Sequence, residues 1–204
     1  ILALINAEGP KIGVEFNLSK TLILLGRCAT REEALFRQAQ YVSFGFKKDN
    51  VLLHPDNEVD TLSTIAQRRK YGVVCLGVPI GDIEYIQSKL ADKLNSLRNE
   101  GKKLTDYSGT TQSKMLMLRF CFSQKVTHLL RCIPPEISGK FAQSFNDLKM
   151  ELFCRILELQ VADLSDMHKQ QVLTHIRDGG FGLGDAVATA PAAFVASLAG
   201  AMEN

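Results

Sequence analysis

The chain has 204 residues, 46% hydrophobic and 23% charged, with a formal charge of +2. That length suits one large domain or two small ones with a real core, in an ordinary globular composition. So small a charge excludes a global field that draws in nucleic acid, so any such binding rests on local patches. No apolar run approaches the ~20 residues that cross a bilayer, which excludes a membrane helix.

The first residue is Ile1, and Ile1, Leu2, Leu4 and Ile5 already read as the inside of an element. With no targeting pattern in front, the expectation is a fragment of a longer protein or a processed chain. Glu8-Gly9 reads as the end of a helix. Val14 and Phe16 alternate with Glu15 as a short strand, and Thr21 to Leu25 is an apolar strand closed by Gly26. Thr30 followed by Glu33 is a capping-box signal for a helix over 31–41. Phe44 to Asp49 is a loop, Asn50 to His54 a strand, and Pro55-Asp56-Asn57 a turn. A short helix over 59–69 ends at the basic triplet Arg68-Arg69-Lys70. Gly72 to Val78 is strand-like until Pro79-Ile80-Gly81 breaks it.

From Asp82 onward the pattern is helical. Asp82 caps a helix over 83–103 whose stripe is Ile86, Leu90, Leu94 and Leu97. Lys89, Lys93, Arg98, Lys102 and Lys103 lie on its other faces. A second helix over 112–132 carries Met115, Leu118, Phe122, Val126 and Leu129 inward. It also carries Lys114, Arg119 and Lys125, with Arg119 bordering the stripe and expected to meet a carboxylate. Pro134-Pro135 stops it. A third helix holds Phe141, Phe145, Leu148, Leu152, Ile156 and Leu159. A fourth segment spans 164–177, and Ala186 to Met202 reads as a small-residue helix. Composition shifts at Asp82, giving an α+β chain: a small mixed α/β part over 1–81, then an all-α helical bundle over 82–204.

Five cysteines, Cys28, Cys75, Cys121, Cys132 and Cys154, form no CxxC pair. Their odd number and spacing give neither a disulfide framework nor a zinc site, and read as reduced thiols of an intracellular protein. No cysteine or carboxylate cluster completes a metal set around His54, His128, His168 or His175. No cofactor is expected in this chain.

Three short stretches carry a resemblance. Gly13, Asn17, Lys20 and Thr21 precede the first strand. Tyr71 to Gly81 contains Leu76-Gly77-Val78-Pro79-Ile80-Gly81. Gly179-Gly180-Phe181-Gly182-Leu183-Gly184 is followed by Ala192-Ala193-Phe194-Val195-Ala196-Ser197. In this order they resemble the C-terminal part of a LINE-type (non-long-terminal-repeat) retrotransposon reverse transcriptase. The first stretch resembles motif D and the second motif E, the hairpin that holds the primer end. The third resembles a glycine-rich turn beyond the thumb. It lacks the GK[ST] ending of a phosphate loop and reads as a tight turn that packs the last helix.

The resemblance implies a palm edge over 1–81 and a thumb-like domain over 82–204. It gives Lys20 charge neutralisation or proton donation at the leaving pyrophosphate, in the context of a full palm only. It implies nucleic-acid contact by Lys20, Arg68, Arg69, Lys70, Gly77, Lys89, Lys93, Lys102, Lys103, Lys114 and Lys125. Such contacts are electrostatic and blind to sequence. The family's metal-binding aspartates have no counterpart, and the chain contains no Asp-Asp pair. Mg2+ therefore belongs only to a complete palm supplied elsewhere. The function implied is a grip on RNA or on an RNA–DNA primer-template, not catalytic by itself. The alternative is a repurposed structural subunit of a larger ribonucleoprotein assembly, binding protein or structured RNA. A chance match by an unrelated interaction module is a third.

Overall fold

A computed structural model describes residues 11, 17–18, 20–54, 57 and 71–202. The expected helix end before Glu8-Gly9, the strand at 14–16 and the helix over 59–69 lie outside the described residues, as do Arg68, Arg69 and Lys70. The fold is α+β, with a few short strands followed by a helical C-terminal part.

The chain divides into two compact units. One comprises Ile1–Val73 and Ile80–Tyr85, the other Val74–Pro79 and Ile86–Asn204. In the first, β1 (Ile23–Leu24) pairs in parallel with β2 (Val51–Leu52), Ile23 opposite Val51 and Leu24 opposite Leu52. Parallel strands need a crossover, and α1 (Arg31–Ser43) supplies it. The Thr30 cap forms as the sequence indicates, while the reciprocal bond goes to Ala29 and not to the cap residue's own N–H. Glu33 N–H donates to Thr30 Oγ1 at 3.2 Å, and the Glu33 carboxylate accepts from Ala29 N–H. Leu25, Cys28, Ala34, Phe46, Val51 and Leu53 form this unit's small core. Asn57 closes it, bonding both the N–H and the carbonyl of Cys28 at 2.9 Å.

The hairpin β3 (Gly72–Cys75) and β4 (Val78–Gly81) has its base in the first unit and its tip in the second. Its two-residue turn holds Leu76 at φ 49° and Gly77 at φ 82°. Positive φ at both positions matches the twist of the strands they join.

The second unit is a helical bundle. α2 (Ile83–Asp106) is capped by Asp82, whose carboxylate accepts from Glu84 N–H at 3.1 Å. Ile86, Leu90, Leu94 and Leu97 are all buried, as their spacing requires. The single helix expected over 112–132 is instead three pieces. These are α3 (Thr111–Leu116), a π-helical turn (Met117–Phe122) and α4 (Thr127–Cys132). The cause lies at Ser123, whose N–H and hydroxyl both donate to Leu118 O, five residues back, at 3.0 and 2.9 Å. That widened turn lets Leu118, Phe122, Val126 and Leu129 all stay buried.

α5 (Pro135–Leu157) starts at a proline, whose missing N–H costs nothing at a helix's first position. Phe141, Phe145, Leu148, Leu152, Phe153 and Ile156 are buried on several of its faces, so it forms the bundle's centre. Phe145 stacks on Phe122 with ring centroids 5.7 Å apart. α6 (Asp166–Leu173), capped by Ser165, leads through the glycine-rich loop to α7 (Ala186–Met202).

Candidate nucleic-acid interface

Lys20 stands on a turn built by its motif neighbours. Asn17 O accepts from the N–H groups of Lys20 and Thr21, both at 3.1 Å, and the Asn17 side chain caps Lys20 N–H. The Thr21 hydroxyl bonds the same Asn17 carbonyl at 2.9 Å. The asparagine and threonine therefore fix the backbone, and Lys20 is left exposed.

The hairpin tip in the helical unit is just as prominent. Leu76 is 96% exposed at its left-handed position. A side chain on Gly77 would begin 3.7 Å from His128 Nε2 on α4. Val78 packs against the bundle core, so Leu76 and Gly77 project beside α4.

On α2, at 100° per residue, Lys89, Lys93 and Lys103 fall on one flank of the apolar stripe, with Glu100 among them. Lys125 reaches across from the segment before α4 to pair with Glu100. The hydrogen bond from Lys125, with its charge, holds the Glu100 carboxyl below the usual carboxylate range. Glu100 is therefore already neutralised. Lys89 lies 3.5 Å from Asp92, an exposed pair of little net worth. Lys102 falls on another side of α2. Lys114 is turned inward: its ammonium donates to Thr105 O at 2.7 Å, near the C-terminus of α2. Cations suit that end of a helix, because its last carbonyls lack partners. The structure thus gathers Lys89, Lys93, Lys103 and Lys125 on one flank and sets Lys102 and Lys114 apart.

Arg119 makes no ion pair among the described residues. It lies over the ring of Phe120, with its guanidinium carbon 4.5 Å from the centroid, in place of the expected carboxylate. The glycine-rich loop is the tight turn its sequence suggests. Phe181, Gly182, Leu183 and Gly184 N–H groups donate in turn to the carbonyls of Gln171, Thr174, Val172 and Leu173. Gly182 sits at φ +75°, and a side chain there would begin 2.8 Å from Arg119 Nε.

Sequence reasoning missed the cluster that holds this loop. Lys149 on α5 is 1% exposed and donates to Leu183 O at 3.2 Å and to Gly184 O. Next to it, Asn146 donates to Asp185 Oδ1 at 2.7 Å and accepts from Ala186 N–H at 3.0 Å. Asp185 Oδ1 also accepts from the N–H groups of Val187 and Ala188, capping α7. Burial works to raise the Asp185 carboxyl, but these bonds and the nearby Lys149 leave it below its usual range. The one signal in the sequence was the position of Lys149, one residue after Leu148 on a helix apolar on several sides.

Among the described residues no three His, Cys, Asp or Glu side chains lie close enough to hold a metal ion. No described helix is long and apolar enough to cross a membrane. Comparison with protein-family models, with curated proteins and with solved structures finds no significant match to this chain.

Proposed function

We propose that this chain is a nucleic-acid-gripping module of reverse-transcriptase descent, holding RNA or an RNA–DNA duplex without catalysing a reaction by itself. The observation that carries it is the lysine flank of α2. Lys89, Lys93 and Lys103 span about 21 Å at 1.5 Å per residue. Two acids accompany them: Asp92 pairs with Lys89 at 3.5 Å, and Glu100 is neutralised by Lys125. A row of cations of that length follows a phosphate backbone without reading sequence. The hairpin turn at Leu76-Gly77, in the order the resemblance implies, supports the same reading.

The test is binding of a labelled RNA–DNA duplex at several salt concentrations. Replacing Lys89, Lys93 and Lys103 with alanine should weaken binding more than tenfold and flatten the salt dependence by about 0.9 in log–log slope per lost phosphate contact. Unchanged affinity and slope in the triple variant would reject the proposal.

One observation favours the second reading, a subunit of a larger assembly. From Ala186 to Met202 there is no charged residue, and Val195, Leu198 and Met202 are 62, 50 and 79% exposed. An uncharged helix with large apolar side chains in water is the mark of a protein-covered surface. Release of the protein from its native particle by ribonuclease would assign the contact to RNA and count against a protein-covered α7.

A further inference from the structure

Phe120 is 59% exposed on the π-helical turn, although the stripe on either side of it is buried. The widened turn turns Leu118 and Phe122 inward and leaves Phe120 in water. Arg119 covers one face of the Phe120 ring, with its guanidinium 4.5 Å from the centroid. Arg119 also lies close against the glycine loop: a side chain on Gly182 would begin 2.8 Å from Arg119 Nε and 3.2 Å from Ile176. Among the described residues no carboxylate pairs with Arg119, nor with exposed Arg177, which follows Ile176 in the chain.

A planar cation held on an exposed aromatic ring, with its charge unspent, matches two things at once. The free side of the ring offers a stacking surface, and the guanidinium offers bidentate hydrogen bonds to an anion. A nucleotide has both parts. Bases inside a duplex stack on each other and present no face to a side chain, whereas an unpaired base does. We infer that Arg119 and Phe120 form a subsite for an unpaired nucleotide of a nucleic-acid strand, the base stacked on Phe120 and the phosphate met by Arg119. This rests on the reading of the chain as a nucleic-acid binder, and adds to the duplex-holding flank of α2 a second element that engages single strand.

The chain contains no tryptophan, so Phe120→Trp creates a single fluorescent reporter at the subsite. Addition of an oligouridylate 12-mer should quench its emission saturably, and Phe120→Leu, which keeps bulk and loses the aromatic face, should bind that 12-mer about tenfold more weakly. Arg119→Lys keeps charge but loses the planar fork, and should weaken it in the same direction. Duplex binding through Lys89, Lys93 and Lys103 should be unaffected by both. Binding of the 12-mer, seen by anisotropy, with unchanged tryptophan emission and full affinity in Phe120→Leu would overturn the subsite and leave the α2 reading standing. No binding of either nucleic acid would overturn both. Equal quenching by polyglutamate would overturn the assignment in favour of an acidic protein surface.

Discussion

Lys149 is a buried cation tied down from several directions. Its ammonium sits 5.1 Å from the centroid of Phe145, and two of its three donors are taken by loop carbonyls. Burial pushes it down to about 8 from the ordinary 10.5, with Asp185 pulling the other way. Between those two pH values the unfolded chain binds more protons at this site than the folded one, so stability rises with pH there. The gain from pH 8 to above 10.5 is roughly 3 kcal/mol from this residue. Burial raises the Tyr71 hydroxyl and the Cys154 thiol, so both act in the opposite direction as they ionise. The expected result is that urea denaturation of wild type minus Lys149→Met climbs with pH across this window; a flat difference would contradict the assignment. Leu76 is under backbone strain, as is Glu158 at φ 58°. A leucine in the left-handed region costs about 1–2 kcal/mol, and an Asn-Gly turn suits the hairpin better. Leu76→Asn should therefore stabilise the helical unit by about 1 kcal/mol, measured by chemical denaturation.

Between elements, α7 is tied to α5 by polar groups more than by large side chains. Only Ala186 and Ala190 of α7 are buried, while Asn146 bonds both its cap residue and its first N–H. Asn146→Ala leaves Ala186 N–H and an Asp185 oxygen without that partner, at a cost of about 1–3 kcal/mol. Hydrogen exchange should rise first in α7, before α2 or α5. Much of this layer was legible in the sequence. The stripe of α2, the N-cap at Thr30 and the limits of α7 all follow from periodicity and caps, whereas the parallel pairing of β1 with β2 does not, because two short apolar runs carry no sign of their partner. The π-helical turn was not, because Leu118, Phe122, Val126 and Leu129 keep helical spacing straight through it. Nor were the partners of Lys114 and Lys125, which lie 9 and 25 residues away. A lysine in a sequence gives the same signal whether it meets water, a carbonyl or a core. That is why the candidate interface was legible as a set of cations, and not as the smaller set that shares one flank.

At the scale of the whole molecule the described residues form two cores of unequal size, the smaller with six buried residues among those described. Phe46 is 3% exposed within the smaller one. Phe46→Ala should cost about 3 kcal/mol there, and amides of β1, β2 and α1 should exchange faster while those of α5 keep their rates. Equal acceleration of both sets would show that the units open together. The tie between Lys149 and the loop also sets an order of events during synthesis. α2 to α5 leave the ribosome before Leu183 and Gly184 do, so for that interval the centre of the bundle holds an ammonium whose acceptors do not yet exist. A buried charge without partners is among the costliest defects a core can hold. The expected consequence is that the nascent helices stay loosely associated until the glycine loop emerges, which limited proteolysis of ribosome-stalled chains would show as protection of α5 only once Gly184 is outside.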